Sequence, residues 1–209
     1  MQSGQLDHSL HFDSLNALVT SMMAMNHDPL FPAGTNMVIY RGNPEAKFMV
    51  IGEAPGPEEN KQGKPFVGRS GQLLDQILQA VKLDPEKDVF VSNSVFRLPP
   101  GEAGKSFRKP TSQEIAFYRP YTLEIVRLVN PKVIVLAGGV AAQSVLNETQ
   151  GITKIRGKWT EWQGRWVMPI FHPSYLLRNP SREPGSPKAL TWQDIQAARK
   201  KYDELMQER

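Results

Sequence analysis

The chain has 209 residues, 40% of them hydrophobic, with 25 Lys and Arg against 21 Asp and Glu and no cysteine. That length suits one α/β domain with a sizeable core, and the missing thiols exclude disulfides, thiolate nucleophiles and cysteine-held metal clusters. No run approaches the roughly eighteen apolar residues of a membrane span, and the N-terminus, MQSGQLDHSLHFDSLN, has neither a basic start nor an apolar stretch of signal type, so a soluble, cytoplasmic protein is expected.

In chain order, a helical pattern over about 12–25 comes first, then an apolar run of strand type, Phe48 to Ile51, which stops at Gly52. A carboxylate, Glu53, follows at once, with two prolines, a glycine and two more carboxylates behind it. A helical pattern at about 70–82 leads to a second run, Val89 to Ser92, and a Gly/Pro/Arg-rich loop spans 99–110. The next helix, 111–129, opens on a capping box, Thr111 with Glu114, and Pro120 is expected to kink it. A third run, Lys132 to Ala137, precedes a helix at 139–147, and a fourth is Val167 to Phe171. After a loop at 179–188 the last helix is expected at 191–207, with Thr191 and Asp194 as a weaker capping box. Such alternation implies parallel strands with helices on both faces. There is no internal repeat, and 1–209 is expected to form one domain with the first forty residues as a helical lead-in.

Charge is unevenly spread. Residues 91–188 hold fourteen Lys and Arg against six Glu, whereas the rest hold eleven against fifteen acids. Clustered cations suit a polyanionic partner, since phosphate neutralisation releases counterions.

In open parallel sheets, ligands bind beyond the carboxyl ends of the strands. The residues standing there are Glu53, Asn93, Gly138 with Gly139, and His172. Each has a plain alternative: a surface charge, a turn cap, an imidazole satisfying a backbone carbonyl. A carboxylate, an amide and an imidazole converging on one crevice is what a catalytic site requires.

The blocks GEAPG (52–56), GKPFVGRSGQLL (63–74), VFVSN (89–93), LPPGE (98–102), PTSQEI (110–115), PKVIVLAGGVAAQSVL (131–146) and FHPSYLLRNP (171–180) together resemble the uracil-DNA glycosylase superfamily, closest to its family 4, the thermostable iron-sulfur class. The resemblance covers about 38–200. It implies a three-layer α/β/α fold with a central four-stranded parallel sheet, in agreement with the pattern above. In that class four cysteines hold a [4Fe–4S] cluster. Here Arg97 (or Phe96) and Tyr118 stand where two of them would lie, and the other two have no counterpart. A cluster-free relative is therefore expected, with no cofactor and no metal, in which aromatic packing by Phe96, Phe117 or Tyr118 replaces the staple. Some relatives trap DNA covalently through a His in the loop after the second strand, but GEAGKSFRKPTS (101–112) has none, so turnover is expected.

The resemblance also implies roles. Glu53 would manage the sugar cation and water, and His172 would donate to uracil O2. Asn93 would pair with O4 and N3–H of an extruded base, Phe66 would stack on it, and Gly52, Ala54 and Glu59 would complete the pocket, although Glu59 reads equally well as a solvated carboxylate. Leu176 or Leu177 would wedge into the duplex hole, unless both are core leucines. Ser70, Lys105, Arg108, Lys109, Ser174 and Arg178 would meet phosphates, with Lys154 and Arg156 as further candidates. The expected protein is a monomeric, monofunctional glycosylase acting on uracil in single- or double-stranded DNA, with no membrane partner. A broader deaminated-base glycosylase for hypoxanthine or xanthine, or a non-catalytic damage-binding protein, is the alternative. A nucleotide-binding protein is disfavoured, because no Gly-rich phosphate motif follows a strand.

Overall fold

The four apolar runs are strands because each is long enough and apolar enough to be buried on both faces, and two short strands join them. In the computed structural model, which describes residues 10–102 and 106–207, the strands are β1 (Tyr40–Gly42), β2 (Phe48–Gly52), β3 (Val89–Asn93), β4 (Val133–Ala137), β5 (Thr160–Trp162) and β6 (Arg165–Ile170). Their order is β1-β3-β2-β4-β6-β5. The inner four are parallel, while β1 and β5 pair antiparallel at the edges. The sheet is therefore six-stranded and mixed, not purely four-stranded and parallel as expected. The two extra strands have three residues each, and β5 begins with two exposed ones, so neither carries a readable apolar period.

The helices are α1 (Leu15–Met23), α2 (Pro57–Gln62), α3 (Arg69–Ala80), α4 (Ser112–Val129), α5 (Gly139–Leu146), α6 (Ile152–Ile155), α7 (Pro173–Arg178) and α8 (Pro187–Gln207). Strand residues alternate between two cores. Met49, Ile51, Ile134 and Leu136 pack with Leu18 of α1, Ile125 of α4 and Val145 of α5. Phe48, Val50, Val133 and Val135 pack with Leu74 and Leu78 of α3 and Ile195 and Ala198 of α8.

The Thr111–Glu114 capping box forms as read, each side chain accepting from the other's backbone N–H, and α4 runs without interruption past Pro120 to Val129. The second capping box does not form. Helix α8 starts at Pro187, which places Thr191 inside it with its hydroxyl donating to the Pro187 carbonyl, while Asp194 pairs with Arg156.

Candidate active site

The parallel register sets strand ends side by side. Gly52 and Asn93 are partners at the ends of β2 and β3, as Ala137 and Ile170 are in β4 and β6. Pairing continues one step past the strands, with Val95 N–H donating to the Glu53 carbonyl and Gly138 N–H to that of Ile170, each at 3.0 Å. Glu53, Asn93, Gly138 and His172 consequently border one cavity of about 790 Å³, which Ala54, Phe66, Ser70, Arg108, Lys109, Ser174 and Arg178 also line.

The floor leaves no spare volume. A Cβ on Gly52 would stand 2.3 Å from Phe66 Cζ and 2.6 Å from Asn93 Oδ1, so only glycine lets these two side chains meet across the strand end. Asn93 is 2% exposed and Phe66 5%. Phe66 sits at φ 54°, a left-handed conformation that costs a non-glycine residue energy and persists only where its surroundings fix it. Here two clamps do so. The Arg41 guanidinium donates to the carbonyls of Pro65 (2.9 Å) and Phe66 (3.4 Å), and Glu59 Oε1 accepts from Val67 N–H (2.9 Å) and Gly68 N–H (2.7 Å). The other Glu59 oxygen accepts from Gly56 N–H, 3.1 Å away. Glu59 lines the cavity as expected, but as a tethered carboxylate and not a solvated one. It ties the turn after Glu53 to the turn that carries Phe66, whose ring stacks on His172 with centroids 5.8 Å apart.

His172 caps the N-terminus of α7, and its Nδ1 accepts from Ser174 N–H at 3.1 Å, with Ser174 Oγ 2.8 Å away. Since Nδ1 is the acceptor, the neutral ring carries its proton on Nε2. Burial, reinforced by the Arg178 and Lys109 cations, lowers the imidazole pKa to about 4, so the ring is a neutral donor near pH 7. Burial pushes the Glu53 carboxyl up, while Lys109 and Arg178 pull against it. The same two cations therefore hold Glu53 toward its charged form and His172 toward its neutral one.

Other expected contacts divide. Ser70, in the first turn of α3, and Lys109, Ser174 and Arg178 line the cavity, as does Arg108, whose guanidinium is held by both Glu114 oxygens at 2.8 and 2.7 Å. Arg156 does not line the cavity, and its guanidinium pairs with Asp194. Leu176 is 1% exposed and packed inside, which corrects its reading as a wedge, while Leu177 is half-buried on the same helix. Lys105 lies outside the described residues. Sequence reading missed Phe107, Ile152, Thr153 and Tyr175 on the cavity wall. Of these only Phe107 carried a signal, as the lone aromatic in a basic stretch.

An iron-sulfur cluster does not fit this chain. Arg97 and Tyr118 are locked on Asp28, which is 2% exposed. Arg97 Nε donates to Asp28 Oδ2 at 2.9 Å, the Tyr118 hydroxyl donates to Oδ1, and the guanidinium also reaches the carbonyls of Thr35 and Met25. Phe96 and Phe117 pack edge-on against Tyr118. The aromatic packing expected from the sequence is thus joined by a buried ion pair, with no thiolate anywhere in the chain. Among the described residues no three acidic or histidine side chains group as metal ligands would.

Residues 39–196 match the family model described as the uracil DNA glycosylase superfamily. The type-4 uracil-DNA glycosylase of Thermotoga maritima is 41% identical over 157 residues, covering 74% of this chain and 79% of that protein. The type-4 enzyme of Sulfurisphaera tokodaii is 34% identical over 81% of this chain and 78% of its own. For that of Archaeoglobus fulgidus the identity is 34%, over 80% and 85%.

Proposed function

Because this chain belongs to the uracil-DNA glycosylase superfamily, we infer that it hydrolyses the N-glycosidic bond of uracil in DNA, leaving an abasic site for base excision repair. The observation that carries this reading is the convergence of Glu53, Asn93, Phe66 and His172 on one cavity beyond the carboxyl ends of parallel strands.

A base inside a duplex hides its glycosidic bond, so the nucleotide is extruded into the cavity. There Phe66 stacks on the pyrimidine, and Asn93 offers its amide to O4 and N3–H, a pairing that rejects the amino group of cytosine. Ala54 lines the wall beside it, and Gly52 lies under the floor where Phe66 and Asn93 meet. As the C1′–N1 bond breaks, its electron pair leaves with uracil and positive charge builds on the sugar. His172 Nε2–H donates to O2 as negative charge gathers there, without a cation having to be desolvated. Glu53, held toward its anionic form by Lys109 and Arg178, faces the sugar and orients the water whose oxygen bonds C1′ and whose proton it accepts. Preorganised groups that match the charge of the transition state more than that of the substrate are what accelerate the step.

Along the cavity wall, Lys109, Arg178, Ser70 and Ser174 hold phosphates, and Leu177 fills the hole left by the extruded base. Glu59 acts through the backbone that it ties. Leu18 and Met22 share a core with Met49 and Ile51, which supports 1–209 working as one domain with the N-terminal segment as lead-in. A monomer acting in the cytoplasm on single- and double-stranded DNA completes the proposal. Among the described residues no helix is long and apolar enough to cross a membrane.

The test is incubation with labelled oligonucleotides containing uracil, hypoxanthine, xanthine or ethenocytosine, followed by alkaline cleavage of abasic sites. Cleavage confined to uracil supports the proposal. Equal or greater cleavage at purine lesions would transfer it to a broader deaminated-base glycosylase, and tight binding with no cleavage would make the protein a damage binder.

A further inference from the structure

Phe107 is a large apolar side chain that the fold does not use. It is 50% exposed and belongs to neither hydrophobic core. Yet its backbone is fixed: Phe107 bridges Pro100 in antiparallel fashion, Arg108 N–H donates to the Pro99 carbonyl at 3.2 Å, and the Arg108 guanidinium is anchored on Glu114 at the start of α4. A single exposed apolar residue means little. This one stands on the wall of the Glu53–His172 cavity, two residues from Lys109, which acts electrostatically on both of those groups.

An aromatic side chain on a fixed backbone among cations, beside a cavity that takes one nucleotide, is the combination with which proteins bind unpaired nucleic acid. Cations track the backbone, and the ring stacks on a base whatever its identity. We propose that Phe107 is a stacking platform for the base next to the extruded uracil, and that it serves single-stranded DNA in particular. In a duplex the neighbouring base is already stacked and paired, so a second platform adds little, and Leu177 fills the vacated position. In a single strand there is no hole to fill, and the neighbouring base gains its only ordered partner from Phe107. The exposed Phe107 and the half-buried Leu177 thus divide the substrates between them. The proposal rests on the glycosylase reading above.

The experiment compares the native protein with Phe107→Ala, Phe107→Leu and Phe107→Trp. It measures kcat/KM on a single-stranded uracil oligonucleotide and on the same strand in a U·G duplex. A parallel arm follows binding of an oligonucleotide with 2-aminopurine beside a non-cleavable deoxyuridine analogue, where stacking on an aromatic ring quenches the fluorescence. Phe107→Ala should lower the single-strand value by about tenfold, as expected for one lost base–aromatic stack, and the duplex value by less than threefold. Leucine, with similar bulk and no aromatic face, should resemble alanine, whereas tryptophan should resemble the native residue. Quenching should be strong with native protein and Trp, and weak with Ala and Leu. Unchanged single-strand activity in Phe107→Ala, an equal loss on both substrates, or equal quenching by all four proteins would overturn the proposal. Were the native protein inactive, the glycosylase reading would fail, and the fluorescence arm would still decide the role of Phe107.

Discussion

Replacing Glu53 by Gln keeps the shape of the side chain and removes its charge. For a charge separation of about 5 Å in an effective dielectric of about 20, the lost attraction is about 3 kcal/mol, or on the order of a hundredfold in rate. Partial burial, which pushes the carboxyl pKa up, also keeps bulk water from screening the attraction. Binding moves the other way. Affinity comes from phosphate contacts and the base pocket, so deleting one negative charge beside a polyanion leaves it unchanged or slightly tighter. The assay is single-turnover excision with enzyme in excess over a labelled uracil oligonucleotide, beside equilibrium binding at fixed salt. The expected outcome is a rate on the order of a hundredfold lower, with native or tighter binding. Excision by Glu53→Gln at nearly the native rate would refute the reasoning and make the carboxylate after Gly52 structural.

Asn93→Asp replaces the amide donor facing O4 with an acceptor and should abolish most uracil excision or relax discrimination against cytosine; unchanged rate and selectivity on paired U and C substrates would remove Asn93 from the pocket. Leu177→Ala should slow excision from duplex DNA more than from single strands, and equal slowing would contradict the wedge. The imidazole resonances of His172 should titrate with a midpoint near 4, leaving the ring neutral at every pH above that, and a midpoint near the usual value of about 6.5 would show that it is not buried as described. Because Glu53 must be ionised and burial raises its pKa, kcat/KM measured against pH should fall as acid protonates it. Asp28→Asn leaves Arg97 buried without its counter-charge and should cost about 3–5 kcal/mol of stability, read as a lowered melting temperature with uracil excision preserved at low temperature; an unchanged melting temperature would mean that the ion pair does not hold the fold.

The inner sheet and its ligand edge were legible because a strand buried on both faces is a continuous apolar run, and the residue after each run then falls at the carboxyl edge whatever surrounds it. Glu53, Asn93 and His172 could be found that way. Edge strands of three residues leave no such trace. Contacts across large sequence separations were also hidden: nothing local shows that Asp28 meets Arg97 and Tyr118, that Asp194 pairs with Arg156, or that Glu59 ties both oxygens to backbone amides. Leu176 and Leu177 look alike in sequence, and only the rotation of a short helix buries one and half-exposes the other. The missing cysteines were plain from the sequence, but the buried contacts of Arg97 and Tyr118 with Asp28 became visible only in three dimensions.

The most direct measurement is the stoichiometry of free uracil released per alkali-labile site formed, over many turnovers, in excess EDTA, with the cysteine-free protein as purified. A ratio of one, continuing past one equivalent of enzyme from a colourless preparation, is the predicted result. DNA bound without uracil release, a covalent protein–DNA species that accumulates instead of turning over, or release that tracks bound iron would contradict it.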